Sequence, residues 1–214
     1  MQDRSQRTRR RLLEEGAKLL TRSGYAHATL GQIAAAAGMT KGALYFHFTS
    51  KEGLADAVRE QGRALLEGFL RERRDAGEAP VQILIDLTHW LVWARREDTV
   101  VRAAFRLSDE GPDGRPDITG LRGAWLAEAV SLLGEAEAAG ELSEAARGDG
   151  VRTLLVAMLY GLATPGADGR SPAELRRGTT ELWQLLLAVL VPAGRAGHYR
   201  TAPSGTRCEP AHAA

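Results

Sequence analysis

Thr29 to Lys51 reads TLGQIAAAAGMTKGALYFHFTSK, and its local signals dictate two short helices joined by a tight turn. Thr29 and Gln32 have the spacing of a capping box, in which each side chain satisfies an orphan backbone N–H at the start of a helix. That helix covers Leu30 to Ala37. Gly38 stops it, because glycine takes the positive φ of a helix-ending turn without a steric penalty. A second short helix starts near Thr40 and ends near His47. Two short helices meeting at a glycine turn follow the helix–turn–helix plan. Ala34 is small where the second helix packs over the first, and Leu44 plugs the space between them. Beyond it, Leu44, Phe46 and Phe48 alternate with Tyr45 and His47. The three apolar residues are expected to anchor inward, and Thr40, Lys41, Gly42, Tyr45 and His47 to face out.

The charge around this motif gives it a partner. The chain has 214 residues with 28 basic and 27 acidic ones, a net charge of +1 that argues against a polyanionic partner. The charge is not evenly spread. Residues 1–51 hold nine basic residues against three acidic, a net +6, and the remainder holds 19 against 24, a net −5. A basic segment joined to an acidic one points to a nucleic-acid-binding part fused to something else. Taken singly, Lys41, Lys51, Tyr45 and His47 read as ordinary surface residues. Inside a turn motif within a +6 segment they read as a DNA-binding set, with lysines for phosphates, Tyr45 and His47 as hydrogen-bond donors, and Gly42 allowing close backbone approach. A metal role for His47 has no support, since no second His or acid stands at ligand spacing.

Outward from the motif the pattern stays helical. Leu12, Leu13, Ala17 and Leu20 share one face of a helix that ends at Gly24, and Ser50 caps a longer helix carrying Leu54, Val58, Leu65 and Phe69 on one stripe. Helical spacing recurs from Ile83 to Ala94, Val100 to Leu107, Leu121 to Leu133, Val151 to Leu162 and Leu175 to Leu190. Asp109–Asp117 and Thr164–Pro172 read as loops. No strand pattern appears, so the fold class is all-α with about nine helices. The wide apolar faces of the last two helices, residues 151–163 and 173–191, suit a homodimer contact. The charge flip places the domain boundary at residue 50: residues 1–50 as reader, 51–191 as a second helical domain, and 192–214, rich in Pro, Gly, Ser and Ala, as a flexible tail holding the lone Cys208.

Several functions are excluded on the same grounds. One cysteine forbids a disulfide framework. There is no nucleophile motif, no phosphate-cradling glycine loop and no His/acid cluster, so neither an enzyme nor a cofactor site is expected. The longest apolar stretch, Leu154 to Ala163, is far short of the ~18–20 residues that span a bilayer. With no signal-peptide core either, a cytoplasmic location without membrane contact is expected.

The stretch TLGQIAAAAGMTKGALYFHFTSKEGLADAV, Thr29 to Val58, resembles the DNA-binding region of TetR-family repressors. The hallmark is carried by Gly42, Tyr45, Phe46, His47, Phe48, Lys51, Glu52 and Leu54, with a basic arm before it, Arg7 to Arg11. The wording MTKGALYFHFTSKE is similar to that of actinobacterial γ-butyrolactone receptor-type regulators. The resemblance implies that Thr29, Thr40, Lys41, Tyr45, His47 and Lys51 contact DNA, together with Arg9 and Arg10 of the arm. It implies a homodimer on double-stranded operator DNA, released when a small apolar effector binds the second domain. The effector class it suggests is a γ-butyrolactone, furan or butenolide-like signal, or an antibiotic. The motif does not separate repression from activation.

Candidate pocket residues among the middle helices are aromatic: Trp90, Trp93, Phe105, Trp125 and Tyr160. An aromatic at helical spacing is more often core, and Trp90 and Phe105 are expected to be core first. For Trp125 the resemblance implies a cavity-lining role. Gln61 and Thr164 lie near the polar pocket positions of those receptors, out of register with them.

Overall fold

Helix ends follow the local signals closely. The computed structural model describes residues 2–110, 117, 119–163 and 171–203. Among them are α1 (Gln2–His27), α2 (Leu30–Ala36), α3 (Lys41–His47), α4 (Lys51–Asp75), α5 (Pro80–Glu97), α6 (Thr99–Asp109), α7 (Leu121–Ala138), α8 (Asp149–Ala163) and α9 (Pro172–Leu190). Short 3₁₀ turns lie at Ala145–Arg147 and Ala196–His198, and no strand occurs among the described residues. The all-α expectation holds. So does the capping box: Gln32 N–H donates to Thr29 Oγ1, and Thr29 N–H to Gln32 Oε1 at 3.0 Å. Ser50 accepts from Gly53 N–H at 3.0 Å at the start of α4. Gly38 has φ +66°.

Packing divides the chain into two compact units. One joins Met1–Leu66 to Glu97–Ala124, and the other joins Glu67–Arg96 to Trp125–Ala214. This differs from the boundary expected at residue 50. The physical reason is that α6, far along the chain, packs on α1 and α4. Arg106 donates to the Thr21 carbonyl, and Glu110 accepts from Tyr25 N–H at 3.0 Å. Gly24 breaks α1 there with φ +75°, and a Cβ on it would lie 2.8 Å from the Glu110 carboxylate. Gly62 of α4 sits so close to α6 that a Cβ would come 2.7 Å from that of Ala104. The core of this unit gathers Leu12, Leu20, Ile33, Leu44 and Leu54, all fully buried.

The second unit is built around α5, which is buried on nearly every side. Trp90, Trp125 and Trp183 are its largest buried side chains. A helix sunk this deep must satisfy its polar groups internally. Thr88 accepts from the Trp183 indole N–H at 2.7 Å and donates to the Ile85 carbonyl. Gln82 donates to Asp86 at 3.0 Å, and Asp86 faces the guanidinium of Arg73 at 3.5 Å.

Residues 192–203 correct the expectation of a flexible tail. This segment runs along α5 as a strap. Arg200 N–H donates to Gln82 Oε1 at 2.8 Å, Gln82 donates back to the Arg200 carbonyl, and His89 Nε2 donates to the Thr201 carbonyl at 2.7 Å. Tyr199 donates to Glu141, which also accepts the N–H of Val81 near the start of α5. Composition marks the segment as loop. The strap is held by bonds to Gln82 and His89, over a hundred positions away, and to Glu141, 58 positions away, which composition does not encode. Cys208 lies outside the described residues.

Candidate nucleic-acid interface

The reader is assembled from α2 and α3. Ile33, Ala34 and Leu44 are buried between the two helices. Thr40 caps α3 by accepting from Ala43 N–H at 3.2 Å, and α3 ends at Phe48, whose backbone is extended. Phe48 is buried, with the Arg9 guanidinium 5.1 Å from its ring centroid. These contacts fix which side of α3 faces out.

On that side stand Lys41, Gly42 and Tyr45, all exposed, with Thr40 at the helix start and His47 half-buried beside them. The stem of Lys41 lies over Gly31, within 3.0 Å of where a Cβ would sit. Thr29 is exposed, but its hydroxyl is engaged in the capping box with Gln32. Arg9 and Arg10 are helical and exposed on α1, and Arg10 pairs with Glu14 at 3.1 Å. The basic arm thus continues α1 as helix.

Two placements differ from the sequence reading. Phe46, expected inward, is 80% exposed, and its ring meets that of His47 edge-on at 5.2 Å. The alternation Leu44, Phe46, Phe48 looked like one inward set. Residues 44 to 47 are still helical, so position 46 turns away, and only Phe48, past the helix end, returns to the core. Lys51, expected at a phosphate, turns to the carbonyl end of α1. Its ammonium donates to Tyr25 O at 2.8 Å and Ala26 O at 3.4 Å and lies 4.3 Å from the Tyr25 ring centroid. A lysine at a helix C-terminus satisfies carbonyls that have no intrahelical partner. The Tyr25 hydroxyl donates to Glu52 at 2.5 Å, which pushes the phenol up to about 12 and holds the Glu52 carboxyl below its ordinary range.

The expected pocket residues separate. Trp125 is fully buried, and its indole N–H reaches Leu87 O on α5 at 3.4 Å. Trp90 is buried against Phe69, the ring centroids 5.6 Å apart, and its indole N–H has no hydrogen-bond acceptor. Trp93 is half-buried, one turn further along α5. Phe105 is buried core of the first unit, and Gln61 is exposed on α4 there. Tyr160 is 55% exposed on α8, where Leu154 is exposed as well, and Leu182, Leu185 and Val189 are exposed on α9. Thr164 lies outside the described residues. A small cleft lined by Leu133, Glu137, Leu142 and Arg152 involves none of the expected residues. Among the described residues no group of three or more His, Cys, Asp or Glu could hold a metal, and no helix is long and apolar enough to cross a membrane.

Known proteins share this arrangement. The pattern of the family described as bacterial regulatory proteins, tetR family, matches residues 12–58. The A-factor receptor protein of Streptomyces griseus is 29% identical over 200 residues, 93% of this chain and 69% of that protein. A gamma-butyrolactone receptor, an ArpA-like protein, has a crystal structure matching with TM-score 0.73 at 29% identity, over 91% of this chain and 94% of that one. The TetR-family protein CprB of Streptomyces coelicolor, in complex with its biological operator sequence, matches with TM-score 0.72 at 30% identity, over 92% of this chain and 94% of that one. With a capped helix–turn–helix at its start and regulators of this kind matched along nearly all of its length, the chain belongs to the TetR family of DNA-binding bacterial regulatory proteins and is not an enzyme.

Proposed function

We propose that the chain is a cytoplasmic, homodimeric repressor that binds operator DNA and is released by a small apolar effector. The observation that carries this reading is the outward face of α3. Lys41, Gly42 and Tyr45 are exposed there, while Leu44 and Phe48 lock the helix to the rest of the reader. A dimer has to present two such helices about 34–36 Å apart to meet successive turns of the duplex. Exposed apolar side chains on α8 and α9 support the homodimer: Leu154, Leu182, Leu185 and Val189 all stand in water in the single chain.

Effector release needs a ligand that binds the DNA-free state more tightly than the DNA-bound one. Likeness to proteins named as A-factor and gamma-butyrolactone receptors supports the lactone class. A footprint on the DNA beside the chain's own gene, at near-physiological salt with and without a γ-butyrolactone, tests the proposal. A protected, salt-sensitive site that clears with the lactone is expected, and absence of a sequence-selective footprint refutes it.

A further inference from the structure

Two features of α3 have no explanation in the packing of the chain itself. The first is Phe46, at 80% the most exposed of the large apolar side chains described. A phenyl ring left in water forgoes the stabilisation that burial gives. The second is Gly42. Glycine weakens a helix relative to alanine, and here nothing in the fold demands it. Its φ is not positive, and a Cβ would meet no atom closer than Thr40 Oγ1 at 3.9 Å.

The two positions are one helical turn apart, on the side of α3 opposite Leu44. No Phe46 atom comes within 4 Å of a Cβ at Gly42, so the ring and the bare backbone leave a notch between them. Its near neighbour in sequence, Ala43, is exposed and adds only a methyl. An apolar strip therefore runs down the helix face, with the polar Lys41 and Tyr45 along one edge and His47 along the other. If that face enters the major groove, the strip needs an apolar partner there. The one that base pairs offer is the C5-methyl group of thymine.

We infer that Phe46, with the notch at Gly42, reads thymine methyl groups in each operator half-site. The inference rests on the operator-binding reading above and adds a base preference to it. The test uses the full-length protein and the duplex defined by footprinting. Each thymine of a half-site is replaced in turn by deoxyuridine, which deletes the methyl and nothing else. Affinity is measured by fluorescence anisotropy. For the wild type, one thymine per half-site should cost about four-fold in affinity when demethylated, and about sixteen-fold when both half-sites are changed, the effect of exposing one methylene-sized group each time. Phe46→Ala should bind the thymine duplex correspondingly weakly and be indifferent to uridine at that position, while Phe46→Leu keeps part of the response. Gly42→Ala should melt no lower than the wild type yet bind more weakly.

Because the ring is 80% exposed, with His47 meeting it edge-on at 5.2 Å, the melting temperature of Phe46→Ala should stay close to that of the wild type, which separates lost recognition from lost fold. A flat uridine scan in the wild type overturns the inference while leaving operator binding intact. So does a uridine response that persists in Phe46→Ala. If the wild type shows no sequence-selective binding to any duplex, the operator reading fails and this inference fails with it.

Discussion

Replacing Lys51 with methionine keeps the length and apolar stem of the side chain and deletes its ammonium. That ammonium donates at 2.8 Å to the Tyr25 carbonyl and at 3.4 Å to the Ala26 carbonyl, and it faces the Tyr25 ring at 4.3 Å. A hydrogen bond from a charged donor contributes about 1.5–3 kcal/mol, and a partly exposed cation–π contact about 0.5–1 kcal/mol. Lys51 is half-buried, so the lower ends apply and the loss comes to about 2 kcal/mol. For a chain of this length that lowers the melting temperature by about 4–8 °C. The assay has two arms: thermal unfolding followed by circular dichroism, and the salt dependence of operator binding measured well below the melting point. The structure puts the effect in the first arm. A lysine that neutralised a phosphate would act in the second, flattening the slope of log K against log salt by about 0.9 per subunit. An unchanged melting temperature together with a flattened slope would refute the assignment of Lys51 to the end of α1.

Three further outcomes follow from the same reasoning. Ending the chain at Val191 removes the strap, so buried Gln82 loses both bonds to Arg200 and keeps only Asp86, and His89 loses its acceptor; at about 1–3 kcal/mol per orphaned group the loss is about 3 kcal/mol, visible in urea unfolding as a lower midpoint. Burial holds the His89 imidazole below its ordinary value, so below about pH 6.5 the unfolded chain binds a proton that the folded chain resists, and stability should fall as pH drops from 7.5 to 5.5. Asp86, pushed up by burial, contributes with the opposite sign above its ordinary value, so the comparison is with His89→Gln, whose acid loss should be smaller than the wild type's. Leu185 is 72% exposed in the single chain, and Leu185→Arg should shift the protein from dimer to monomer by light scattering, with intact helicity and weakened operator binding.

The reader was legible in the sequence because its determinants are local. A Thr–Gln capping box, a glycine at positive φ and a plug leucine all act within a few residues, and all stand where the spacing puts them. The departures come from what spacing leaves open. Phe46 and Phe48 share an apolar character, and which of them anchors depends on where α3 ends. A lysine just after a helix cap reads the same whether it meets a phosphate or a carbonyl, and only the return of α1 beside α4 settles Lys51. The strap belongs to the same class. Tyr199, Arg200 and Thr201 are ordinary loop residues until α5, more than a hundred residues earlier, supplies Gln82 and His89. The compact units depend on α6 returning to α1, a contact between residues 85 apart that no window of sequence contains. The candidate pocket was the least legible part, because an aromatic at helical spacing looks alike in a core and in a cavity wall. Trp90 and Trp125 are fully buried, whereas Tyr160 on α8 is 55% exposed.

The central claim is that the exposed face of α3 selects a DNA sequence, and one titration tests it most directly. The footprinted duplex and a scrambled duplex of equal length are titrated at near-physiological salt with the wild type and with a Lys41→Ala, Tyr45→Ala double variant. Both substituted side chains are exposed, so the variant should keep its fold. The account predicts at least about a thousand-fold preference of the wild type for the footprinted duplex, and its collapse in the variant at unchanged helicity. Equal affinity of the wild type for both duplexes, or a preference that survives in the variant, would contradict it.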